Sequence, residues 1–112
     1  MHFIRLEPAA AVPETSAPAP ERLIAGEPVF TSWDIEEADG LYAGIWQSTP
    51  GKWRVEYEEW EYCRILSGHS ILTADSGAAQ HLRAGDAIII RPGFRGNWEV
   101  VETTRKDYVI RV

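Results

Sequence analysis

The chain has 112 residues, of which 45% are apolar and 25% charged, and it carries a net charge of −6 at neutral pH. That length supports one domain with a core that needs no disulfide or metal staple, and the acidic balance argues against nucleic acid, whose phosphates require clustered Lys and Arg. The single cysteine excludes an internal disulfide and points to a reducing, cytoplasmic setting, while no run approaches the roughly 18 apolar residues of a membrane span.

At the start, Arg5, Glu7 and Pro8 interrupt any signal-like apolar run. "HFIRL" alternates as a short strand could. Residues 7–21 are mostly Ala, Pro, Ser, Thr and Glu, with prolines at 8, 13, 18 and 20, a composition that favours extended, unpaired backbone. Residues 1–22 are therefore read as an N-terminal arm or linker, its apolar tip either docking on a neighbouring subunit or fraying. Residues 23–112 form the folded domain. Here "PVFTSWDI", "LYAGIWQS", "WRVEY", "EYCRIL", "SILTA", "QHL", "AIII", "NWEVVE" and "KDYVIRV" read as strands. Between them, "EEADG", "TPGK", "SGH", "DSG", "RAGD" and "RPG" read as turns. No window keeps a helical period. About nine or ten short strands fit two facing antiparallel sheets or a closed double sheet. Gly85–Asp86 suits a tight turn, and Gly93 and Gly96 suit unusual φ or close backbone approach. In "WRVEY", Trp53, Val55 and Tyr57 share one face; in "EYCRIL", Glu61, Cys63 and Ile65 share one face.

Two phrases, "PGKWRVEYEEWEYCRILSGHSILTADSG" and "LRAGDAIIIRPGFRGNWEVVETTRKDYVI", carry more than pattern. Together they resemble a single-domain cupin of the small subgroup related to ureidoglycine aminohydrolase domains, over roughly residues 27–112. The resemblance implies a double-stranded β-helix, the cupin jelly-roll barrel, and a homodimer. Metal-binding cupins carry a Gly, a His-x-His, a Glu and a Gly in their first motif, and a Pro-x-Gly followed by His in their second. Glu61 and Gly68 match the end of the first motif, and the two histidine places fall on Val55 and Tyr57. In the second, Gly85 and Gly93 match, the proline place falls on Arg91, and the histidine place falls on Gly96. One carboxylate without imidazole or thiolate neighbours does not hold a transition metal, so no metal and no cofactor are expected.

Glu61 is the foremost candidate. Facing the barrel mouth among aromatic rings, its carboxyl would be desolvated, its pKa raised, and the group suited to acid–base work with Tyr57. The plainer reading is a structural carboxylate bonded to Tyr57 or an arginine. Trp53, Tyr57, Glu61, Cys63, Trp98 and Lys106 are the candidate ligand contacts, with Trp46 a further ring for the wall. Gly96 would leave room beside Trp98. Cys63 lacks a base to activate it, and Lys106 is either a ligand contact or half of a salt bridge. Arg54 or Arg91 could turn inward to meet Glu61, whereas Arg95 and the histidines at 69 and 81 read as surface residues. These features point to a metal-free barrel that binds a small polar metabolite. The rival readings are an enzyme working through Glu61 and Tyr57 or through an atypical metal site, and an interaction module whose barrel is full.

Overall fold

The computed structural model describes residues 2–112, so Met1, the first residue of the predicted arm, lies outside the described residues. The described residues fold into nine antiparallel strands: β1 (Glu14–Ser16), β2 (Leu23–Gly26), β3 (Phe30–Ala38), β4 (Leu41–Ser48), β5 (Gly51–Glu56), β6 (Trp60–Ala74), β7 (Ala79–Arg83), β8 (Ala87–Ile90) and β9 (Arg95–Arg111). Single 3-10 turns at Pro8–Ala10 and Pro20–Arg22 precede β1 and β2, each opened by a proline, where a missing N–H costs nothing. No helix among the described residues is long and apolar enough to cross a membrane.

The two longest strands, β6 and β9, organise the barrel. They pair with each other along nearly their whole length. On its other edge β9 gives its C-terminal half to β4 and its N-terminal half to β5. Likewise β6 gives its N-terminal half to β8 and its C-terminal half to β7. The shared pair bends midway, so one half-sheet (β1, β3, β4, β9, β6, β8) folds over the other (β2, β5, β9, β6, β7) as a curled, all-β jelly roll. Between the halves lies the core, including Trp53, Cys63, Ile65, Leu72, Leu82, Ile90, Trp98 and Val100.

Turn chemistry was legible. Asp39 and Gly40, with φ of 52° and 76°, make the two-residue hairpin that joins β3 to β4, the loop that positive φ at both central residues permits. At Asp86 the carboxylate accepts the Arg83 backbone N–H at 2.8 Å beside Gly85, as the "RAGD" pattern predicts.

Three expectations are corrected. "HFIRL" forms no strand, and Phe3 and Ile4 stay exposed. Within the segment expected to have unpaired backbone, residues 14–16 pair with β3. "SGH" is not a turn between strands: β6 runs through it, as β9 runs through the gap between "NWEVVE" and "KDYVIRV". Gly68 explains the first fusion. It takes φ of 94°, and a Cβ there would stand 2.1 Å from the Thr103 carbonyl oxygen. The kink is thus absorbed inside a continuous ladder, with register shifts between Ile65 and Ser70, rather than by leaving the sheet.

Candidate functional site

Strands β3, β4, β5, β6 and β9, with the β5–β6 connection, line a partly open chamber of about 380 Å³. Its walls are rings. Phe30 packs on Trp53 at 4.8 Å and on Trp46 at 5.3 Å between centroids, and Trp46 meets Trp98 edge-on at 5.9 Å. Such tilted and edge-on packing is the favoured geometry of aromatic quadrupoles.

Glu61 lies in this chamber and is only 2% exposed. Its Oε1 accepts the Tyr57 hydroxyl at 2.7 Å, and its Oε2 accepts Lys106 Nζ at 2.8 Å. The Lys106 ammonium also lies over the rings of Trp98 (4.5 Å) and Trp46 (4.8 Å), where the ring faces are negative. Burial alone would lower the Lys106 pKa; the charge of Glu61 and its hydrogen bond outweigh this and hold the ammonium above the ordinary lysine value. Tyr57 is pushed well above the ordinary tyrosine value, first by burial and then by the Glu61 charge. Both groups are therefore fixed as donors at neutral pH.

Local structure places each partner. The loop after β8 clamps the backbone of Tyr57: Gly93 N–H donates to the Tyr57 carbonyl at 2.7 Å, and Tyr57 N–H donates to the Phe94 carbonyl at 2.9 Å. On β9, Lys106, Tyr108 and Ile110 alternate inward. Tyr108 sits opposite Gly44 of β4, which in turn sits opposite Asp34 of β3. A Cβ on Gly44 would lie 2.8 Å from the Tyr108 hydroxyl, so the glycine lets that hydroxyl cross a strand and donate to Asp34 Oδ1 at 2.6 Å. A bulge at Ile35 follows Asp34 directly. Behind the chamber, Trp98 Nε1 donates to Ser70 Oγ, which bonds Thr104 Oγ1 at 2.7 Å. Thr104 gives its single proton to the Glu102 carbonyl, so Ser70 must be the donor to Thr104 and the chain of bonds has one polarity. It fixes the Trp98 indole in its wall.

Of the residues singled out from sequence, Trp53, Tyr57, Glu61, Trp98 and Lys106 line this one chamber, with Trp46. Cys63 does not line it. It is fully buried in the core beneath, and burial pushes its thiol up to about 11, with Lys106 opposing. The space beside Gly96 is not chamber volume: a Cβ there would meet the Thr73 carbonyl at 2.0 Å, so the missing side chain admits a neighbouring strand. No arginine meets Glu61. Arg54 pairs with Asp75 and Arg95 with Glu56, and Arg91 lies on a separate surface groove. His69 and His81, read as scattered, stack and bond at 2.9 Å across β6 and β7, a diagonal contact that only the register of those strands reveals. Sequence reading missed Asp34, Tyr108, Phe30, Glu59 and Tyr42, which also line the chamber. The signal for Asp34 was its place two and four residues beyond Ser32 and Phe30 on one face of β3.

The residues present do not fit the metal that many barrels of this kind hold. Val55 and Gly96, two of the four ligand places, pair directly opposite each other and offer no donor. Tyr57 is a hydrogen-bond donor to Glu61, and the cation beside that carboxylate is the Lys106 ammonium. Among the described residues no three His, Cys, Asp or Glu side chains converge.

A curled jelly roll of paired long strands around an aromatic chamber defines a cupin. Residues 35–108 match the EutQ-like cupin domain, and the chain belongs to that family. Similar solved structures include a protein of unknown function from Pseudomonas syringae pv. tomato, 25% identical, with a TM-score of 0.81 over 89% of this chain and 44% of that one. The chain thus spans less than half of that protein's length. The Clostridium difficile EutQ protein is 19% identical, with a TM-score of 0.69 over 86% of this chain and 79% of that one. Ectoine synthase from P. lautus is 11% identical, with a TM-score of 0.67 over 73% and 63%. At such identities the last two show shared fold alone. No curated protein matches the chain.

Proposed function

We propose that the chain is a metal-free small-molecule binding module, and that a polar metabolite enters the aromatic chamber and meets the Tyr57–Glu61–Lys106 unit. The observation that carries this reading is a buried ion pair set in the wall of an open chamber of about 380 Å³. That volume falls in the range of small-ligand sites, and it disfavours an interaction module with a full barrel. A buried ion pair is a weak source of stability compared with an apolar pair of the same shape, which favours a role in the site. Binding is favoured over turnover because both oxygens of Glu61 already hold donors, and Tyr57 and Lys106 are held protonated. A homodimer, and kinship with ureidoglycine aminohydrolase domains, belong to the same proposal; the kinship rests on the two quoted sequence phrases.

The test is a thermal-shift screen of the purified chain against polar metabolites and divalent ions. A ligand that binds only the folded state raises Tm by mass action. At least one metabolite is expected to raise Tm in the wild type, and to do so less in Tyr57→Phe. A response confined to manganese, nickel or zinc, or a metabolite whose effect is unchanged by Tyr57→Phe and whose binding leaves the chamber tryptophans unperturbed, overturns the proposal.

A further inference from the structure

The charges and rings of the chamber have a sign. Three carboxylates line it, those of Asp34, Glu59 and Glu61, against one basic side chain, Lys106. Lys106 is already committed to Glu61 within the wall. Asp34 and Glu59 have no cationic partner among the described residues; Asp34 accepts only the neutral Tyr108 hydroxyl and Glu59 a backbone N–H. An anionic ligand would meet two uncompensated carboxylates and, among the described residues, no free cation. The rings point the same way. Trp46 and Trp98 already hold an ammonium, that of Lys106, at cation–π distance. Phe30, Trp53 and Tyr57 present further ring surface to the same space, and ring faces attract cations most strongly where water is excluded.

Building on the proposal that the chamber binds a small molecule, we infer that its ligand is a small organic cation, an ammonium or alkylated ammonium group. The cation stands on the aromatic wall with Asp34 and Glu59 as its counter-charges. Lys106, paired with Glu61, already places one positive charge in the chamber, so the charged head of the ligand is directed to the unpaired carboxylates of Asp34 and Glu59.

An isosteric trio separates charge from shape: choline, the neutral 3,3-dimethylbutan-1-ol and the anionic 3,3-dimethylbutanoate, titrated into the chain at fixed ionic strength with tryptophan fluorescence and heat as readouts. Choline is expected to bind at least about tenfold more tightly than the neutral isostere, a ratio in reach of a desolvated cation–π contact with carboxylates nearby. Asp34→Asn, which keeps an acceptor for Tyr108, and Glu59→Gln should each weaken choline several-fold and leave the alcohol unchanged. Equal affinity for choline and the alcohol, or tighter binding of the carboxylate, overturns the cation inference while leaving the chamber reading intact. If none of the three perturbs the chamber tryptophans, and no metabolite does so in the wider screen, the chamber reading falls together with it.

Discussion

At the residue scale the decisive contact is Lys106 to Glu61. Each group is buried, and each has the other as its charge partner, so the cost of removing one exceeds the worth of the pair. Glu61→Gln leaves an ammonium between two indoles without its carboxylate, and Lys106→Met leaves a carboxylate with one phenol donor. Each single change is expected to destabilise the fold by about 3–5 kcal/mol, whereas Glu61→Leu combined with Lys106→Met should cost far less than the sum. Urea unfolding of the variants measures this; additive losses would mean that the two groups act independently and that the chamber wall is not held by their pairing. The inward placement of Glu61 and Tyr57 was legible because the alternation of β5 carries on one step past its end to Tyr57, and that of β6 includes Glu61, with Trp53, Val55, Cys63 and Ile65 as apolar same-face neighbours. The partner of Glu61 was not legible. Lys106 lies 45 positions away in sequence, and strand alternation places it inward without saying which inward carboxylate its long side chain reaches. The signal that could have found it is the alternating Thr104, Lys106, Tyr108, Ile110 face, since a lone inward ammonium requires a counter-charge.

At the element scale the question is how two long strands serve two half-sheets. Turn-forming residues were read correctly at Asp39–Gly40 and Gly85–Asp86, while the connections at 27–29 and 57–59 carried no turn signal that was read. The same residue type misled at Gly68, because a glycine with positive φ serves equally in a turn and in a kink within a strand; what decides is whether a partner strand stays paired on both sides. Here β9 does, from Arg105 opposite Ser67 to Glu102 opposite His69. Gly96 was read in two ways: as a place of close backbone approach, which the Thr73 carbonyl bears out, and as cavity space beside Trp98, which that same carbonyl fills. Gly68→Ala joins two penalties, a left-handed backbone for a residue with Cβ and an overlap with the Thr103 carbonyl. A loss of about 3 kcal/mol or more is expected in denaturant unfolding. Gly77→Ala is the control, for it shares the positive φ but has open space around it, and should lose only about 1 kcal/mol. Equal losses at the two positions would show that backbone conformation alone, and not the close approach of β6 to β9, demands glycine at the bend.

At the scale of the whole molecule the buried titratable groups act in one direction. Cys63, Tyr57, Tyr108 and Lys106 all hold their protons more tightly in the fold than in the open chain. For Cys63 the unfolded value is 9.0 and the folded value about 11. Between those limits the unfolded chain has released a proton that the folded chain retains, so stability falls as pH rises, by up to about 1.4 kcal/mol per pH unit. The tyrosines join above their ordinary value of 10.0. Lys106 has the same sign: its contribution is complete below the unfolded value of 10.5 and is lost as pH rises through the raised folded one. Urea midpoints should therefore begin to fall near pH 9 and steepen above pH 10. Alkaline self-repulsion in a chain of net charge −6 would also lower them, but that effect is spread over the surface and is screened within about 10 Å at 0.1 M salt. The buried groups are screened far less. Raising the salt should leave the decline in place, and Cys63→Ala should flatten it between pH 9 and 10 while the steeper limb above pH 10 remains. A decline abolished by salt and untouched by Cys63→Ala would assign alkaline instability to the acidic surface, and would mean that the core under the chamber does not hold its protons as tightly as its burial requires.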